Sequence, residues 1–178
     1  ELHGHHLVFP HPLNADSEGP LAIGGWLTPA HILLAYQYGI FPWYSEEDPL
    51  LWWYTNPRSV LFPDQIYLSK SMKKVLRDAT WKVTFDQAFS EVITACQHKT
   101  RKNQDSTWIQ SEIIDAYSEL HQLGYAHSVE VWENSKLIAG LYGISIGHIF
   151  YGESMFPHHY NASKYSLIHL AQNLHQKV

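Results

Sequence analysis

The sequence has one cysteine, two methionines and no apolar run of the ~18 residues that a membrane span needs. A single thiol, Cys96, cannot build an internal disulfide or a multi-thiolate metal centre, which points to a reducing compartment. The first residues, Glu-Leu-His-Gly-His-His, lack the charged start and apolar core of a secretory signal, so a cytoplasmic location is expected. No G-x-G-x-x-G, G-x-x-x-x-G-K-S/T or H-E-x-x-H occurs, which sets aside dinucleotide oxidoreductases, P-loop NTPases and zincin-type hydrolases. There is no repeat and no low-complexity tract.

What is present is aromatic. Seven tryptophans, eleven tyrosines and seven phenylalanines stand in 178 residues that are 45% hydrophobic, enough for a sizeable core. Thirteen histidines invite a metal reading, but four of them crowd into the first eleven residues and His158-His159 are adjacent, so no metal is expected. The net charge of −5 excludes a protein that grips nucleic acid with its whole surface. Charge is nevertheless uneven: eight of the twelve Lys and Arg fall between Lys70 and Lys102, against three acids. Such a patch can hold phosphates by counterion release while the rest stays acidic, or can simply be a solvated face.

The order of elements predicts an α+β layer architecture. Residues 1–20 read as an irregular arm. A first helix is framed by Thr28, Pro29 and Gly39, with Ile32, Leu33 and Tyr36 as its stripe. Ser59–Phe62 and Ile66–Ser69 read as strands, Lys70–Asp78 as a basic helix, Trp81–Asp86 as a strand, Gln87–Gln97 and Thr107–Leu123 as helices. A three-stranded antiparallel meander follows (His127–Glu133, Lys136–Ser145, His148–Met155), then a helix over Asn161–Gln176. On the last strand, alternation predicts Phe150, Gly152 and Ser154 on one face and Tyr151, Glu153 and Met155 on the other. Glu153 would thus be a carboxylate in apolar surroundings, a setting that makes a proton acceptor near neutral pH; a surface glutamate at a strand end is the alternative. Gly152 beside it leaves room for a ligand.

Gly24-Gly25-x-Leu27, Gly39-Ile40-Phe41-Pro42-Trp43, Leu51-Trp52-Trp53, Asn56-Pro57-Arg58, Ser69-Lys70-Ser71-Met72-Lys73, Thr107-Trp108-Ile109, His127-Ser128-Val129-Glu130-Val131-Trp132, Gly152-Glu153-Ser154-Met155-Phe156 and Asn161-Ala162-Ser163-Lys164 follow one another along almost the whole chain. Each block is weak alone; their ordered sum closely resembles the leucyl/phenylalanyl-tRNA–protein transferases. The resemblance implies a small N-terminal domain over 1–57 and a GNAT-like (acyl-CoA N-acyltransferase-like) domain over 58–178, with further family elements beyond the last residue here. It implies transfer of Leu, Phe or Met from aminoacyl-tRNA to proteins beginning with Arg or Lys, marking them for degradation, with no cofactor, no metal and no membrane, by a monomer. By position, Glu153 would be the catalytic carboxylate. Trp43, Trp108, Leu141, Phe150 and Tyr151, with Tyr36 and Tyr117, would surround the aminoacyl group, and Lys70, Lys73, Lys74 and Arg77 would touch the tRNA.

Two rivals belong beside it. An acetyl-CoA-dependent N-acyltransferase holds pyrophosphate on a Q/R-x-x-G-x-G/A loop at a helix N-terminus. The nearest match here, His121-Gln122-Leu123-Gly124-Tyr125-Ala126, has the wrong first residue and falls at a predicted helix C-terminus. The other rival is an RNA-binding module of the same fold without turnover.

Overall fold

The computed structural model describes residues 8–15, 19–99 and 108–177. A small three-stranded antiparallel sheet comes first, in the order β1-β3-β2, from β1 (Ala22–Ile23), β2 (Phe41–Pro42) and β3 (Leu51–Trp53). Between β1 and β2 runs α1 (Pro29–Gln37). The Thr28 hydroxyl accepts from the His31 N–H and Pro29 opens the helix, as the sequence predicts. Its inner face is Ile32, Ala35 and Tyr36.

Next come α2 (Lys70–Asp78), β4 (Lys82–Phe85), α3 (Phe89–Gln97), α4 (Ser111–Gln122), β5 (Ala126–Glu133), β6 (Lys136–Ile146), β7 (Ile149–Pro157) and α5 (Ala162–Lys177). The four strands pair antiparallel in the order β4-β5-β6-β7. This is an α+β fold with antiparallel sheets. One face of the larger sheet buries Tyr142, Ile144 and Phe156 against α3, α4 and α1, in a cluster that also takes Trp52 of the small sheet. The other face buries Val131, Ala139 and Leu141 against α5, with Met72 of α2 at one end.

Three expectations need correction. Ser59–Phe62 and Ile66–Ser69 are not strands: Val60, Leu61 and Phe62 are exposed, Pro63 opens a short 3-10 turn over Pro63–Gln65, and Ile66 and Leu68 pack on the cluster around Met72. Their alternation satisfies packing without any neighbouring strand to pair the backbone. The helix expected from Thr107 begins at Ser111, because Gln110 is still extended; Thr107 itself lies outside the described residues. The third correction concerns β7. Tyr142 pairs with Ser154 while Gly143 pairs with Gly152, so Glu153 is the extra residue of a β-bulge. Strict alternation fails there: Phe150 and Met155 sit with Leu141 on the α5 side, and Tyr151 packs with the α1 and α4 side.

Candidate active site

Glu153, at the bulge, lies in a cluster of phenols. The Tyr36 hydroxyl of α1 donates to Glu153 Oε1 at 2.6 Å and lies 2.9 Å from the Tyr117 hydroxyl of α4. The Tyr151 hydroxyl donates to the Tyr36 carbonyl at 2.9 Å, and the two rings meet edge to face at 5.0 Å. Three elements far apart in sequence thus fix one carboxylate. Burial pushes its pKa up to about 7, against the Tyr36 hydroxyl, the Arg58 charge and the Tyr117 hydroxyl, all of which favour the anion. Burial and the Glu153 charge hold both Tyr36 and Tyr117 well above the usual tyrosine range, so they remain donors. Beside them Gly152 is exposed, and a Cβ built there would meet nothing within 4 Å. The carboxylate therefore has a dry, hydrogen-bonded rear and an open flank.

Arg58 is the residue that sequence reasoning passed over. Its guanidinium donates to the Gly39 carbonyl at 2.8 Å and lies over the rings of Phe41 (5.0 Å) and Tyr151 (5.4 Å). It thereby ties the end of α1 to β7 and adds positive charge near Glu153. The only signal was its place after Asn56-Pro57; nothing in the pattern marks it as a neighbour of Glu153.

Not every expected residue reaches this cluster. Trp108 is buried in the same core as Tyr36 and Tyr117, whereas Trp43 is 47% exposed and packs edge to face on Trp53. Leu141 and Phe150 lie across the sheet, on the α5 side, where Met155, Leu170 and Leu174 join them. The set expected around one ligand is divided by the sheet, with Glu153 at the bulge between the two sides. Lys70, Lys73 and Lys74 are exposed on α2, whose Met72 anchors the opposite face; Arg77 is exposed and pairs with Asp78 at 2.7 Å. Arg101 and Lys102 lie outside the described residues. The His121–Ala126 segment does fall at the carbonyl end of α4, where the helix dipole opposes a pyrophosphate.

Tyr36→Phe should expose how this site is tuned. Losing a hydrogen bond that stabilises the anion removes roughly 1.5–3 kcal/mol, so the acid limb of any Glu153-dependent pH profile should move up by about one to two units. Activity should recover on raising the pH. An unmoved limb would detach Tyr36 from the carboxylate's function.

On this α+β scaffold the β-bulge presents a phenol-anchored carboxylate, its pKa raised to about 7, at an open flank, an arrangement able to take up and release a proton as an enzyme's proton-transfer site does. Similarity to known proteins shows the family. Residues 60–178 match the family described as leucyl/phenylalanyl-tRNA protein transferase, and residues 25–56 match the N-terminal domain described under the same name. A leucyl/phenylalanyl-tRNA–protein transferase of Syntrophobacter fumaroxidans is 51% identical over 168 residues, 94% of this chain and 72% of that protein. One from Flavobacterium johnsoniae is 53% identical over 165 residues, 93% of this chain and 78% of the relative. One from Syntrophus aciditrophicus is 54% identical over 168 residues, 94% and 70% respectively. The chain belongs to the leucyl/phenylalanyl-tRNA–protein transferase family.

Proposed function

We propose that this protein transfers Leu, Phe or Met from aminoacyl-tRNA to the α-amine of proteins that begin with Arg or Lys, and that Glu153 is its general base. The observation that carries the reading is Glu153 on its bulge, held by Tyr36 with its pKa raised to about 7. The α-amine attacks the ester carbonyl, the C–N bond forms and the C–O bond to the terminal ribose breaks. The amine's proton passes to Glu153 and then to the departing ribose oxygen. A free α-amine titrates near 7.7–8.0, so a base near 7 lies within about one unit of its donor, roughly 1.4 kcal/mol. An ordinary glutamate would be more than three units away, and the proton would transfer uphill by over about 4 kcal/mol. The ester is already activated, so holding the amine and the carbonyl together supplies much of the remaining acceleration.

The rest of the scheme follows from what each face offers. The antiparallel meander flanked by helices supports a GNAT-like assignment of 58–178, with 1–57 as the smaller unit. Because the sheet divides the expected residues, Leu141 and Phe150 with Met155 offer one apolar surface beside the bulge and Tyr151 with Trp108 another, and the aminoacyl side chain takes one of the two, with Trp43 outside both. Such surface separates one methylene from another by only roughly 1–3 kcal/mol, which fits overlap among Leu, Phe and Met. The exposed Lys70, Lys73, Lys74 and Arg77 contact tRNA phosphates. The reading requires no cofactor and no metal, and places the protein in the cytoplasm as a monomer.

Transfer of labelled Phe from Phe-tRNA to an Arg-terminal peptide tests the activity directly. Retained tRNA binding with no transfer would instead favour the RNA-binding module. Lys73→Ala and Lys74→Ala should each weaken tRNA binding and reduce the slope of log affinity against log salt by about one. Unchanged slopes would remove α2 from the tRNA interface.

A further inference from the structure

A cavity of about 650 Å³ lies apart from Glu153, where the N-terminal ends of α1 and α4 meet the turn between β2 and β3. Trp26, 52% exposed, and Tyr44 give it aromatic walls, Leu50 contributes an apolar patch, and Glu46, Asp48 and Glu112 supply three carboxylates. No Lys or Arg lines it among the described residues. The two helix ends contribute about half a positive charge each, so the cleft stays negative by about two charges. Tyr44 is bonded to Glu112, and Asp48 accepts from the Ser45 N–H and hydroxyl, which fixes two of the carboxylates in place. An indole half open to solvent above fixed carboxylates is the chemistry that receives ammonium and guanidinium groups.

Its position relates it to the reaction. The cleft is lined by Thr28 and Glu112, while Tyr36 and Tyr117, on the same two helices, hold Glu153. Eight residues of α1 and five of α4 separate them, about 12 Å and 7.5 Å along the helix axes. An extended peptide advances about 3.3 Å per residue, so three or four residues match the longer of these separations. We propose that this cleft binds the second to fourth residues of the acceptor polypeptide and favours Lys or Arg side chains there. The proposal rests on the reading of Glu153 as the base that meets the acceptor amine.

Three peptides sharing an N-terminal Arg and carrying Lys, Ser or Glu at positions two to four test it, both as acceptors and as fluorescent ligands in anisotropy titrations. The Lys peptide should exceed the Ser peptide in affinity and in kcat/KM, through KM, by about two- to fivefold per charged contact, and the margin should shrink with salt. Glu46→Lys should reverse the order between the Lys and Glu peptides, and Trp26→Ala should reduce the preference. Equal binding of all three peptides, or an order untouched by Glu46→Lys, overturns the proposal. Lys-preferring binding without transfer to any peptide would leave the cleft standing and overturn the assignment of the reaction.

Discussion

Glu153→Gln should abolish transfer near neutral pH and yet give a protein more stable at pH 8 than the parent. Loss of a general base costs ~10²–10⁴ in rate. What remains should climb with pH until the acceptor amine deprotonates unaided near 8, whereas the parent's profile should rise through about 7. The stability side follows from linkage. The folded carboxyl titrates at about 7, where an unfolded glutamate titrates at ~4.3, so the folded state binds the extra proton between those two values. Across that window stability falls as pH rises; above 7 the whole cost of a buried anion, about 3 kcal/mol, is present. Glutamine keeps an oxygen for the Tyr36 hydroxyl and carries no charge, so it should recover part of that cost. Thermal melts of both proteins at pH 5 and pH 8 check this. A gap that does not widen with pH would mean that Glu153 is not the strained anion described here, and equal transfer by both would remove it from catalysis.

Gly143→Ala should be among the most damaging single methyl additions in the molecule. A Cβ at Gly143 would run into the Tyr151 carbonyl oxygen and lie 2.6 Å from two atoms of the Phe150 ring. The first obstacle is backbone of β7, which cannot swing aside as a side chain can. Overpacking typically costs about 1–3 kcal/mol, and a backbone clash places this case at or above the top of that range. Melting should fall by roughly 6–12 °C in a chain of this size. Relief requires β7 to move off β6 at the step beside the bulge, so the Glu153 position should suffer with it. Gly152→Ala is the matched contrast. Its Cβ meets open space, so stability should stay within about 0.5 kcal/mol while transfer falls, because the methyl occupies the flank from which an acceptor reaches Glu153. A Gly152→Ala protein of full activity would place the approach elsewhere.

Much of this architecture was legible in the chain. Thr28-Pro29 and Gly39 marked α1, and three closely spaced strands marked the meander, because caps and tight turns are set by residues a few positions apart. The strands expected at 59–62 and 66–69 failed for the opposite reason. A strand exists only with a partner, and nothing local to Val60 or Ile66 reports that no strand lies beside them.

For the site, family resemblance and an acidic residue amid aromatics were enough to single out Glu153, and Tyr36 and Tyr117 entered only as lesser pocket residues. The structure makes those two the anchors of the carboxylate and adds Arg58. It also puts Leu141 and Phe150 across the sheet.

The chain alone determined which segments are helical, which strands form consecutive hairpins and which residue types gather near position 153. The register slip at Tyr142–Gly143 belongs to the folded sheet, and it decides that Met155 turns to the α5 side while Glu153 stays with Tyr151 on the side of the α1 and α4 phenols. Local order is written in neighbours along the backbone; the side taken by a bulged residue depends on hydrogen bonding to another strand and on the helices that cover it.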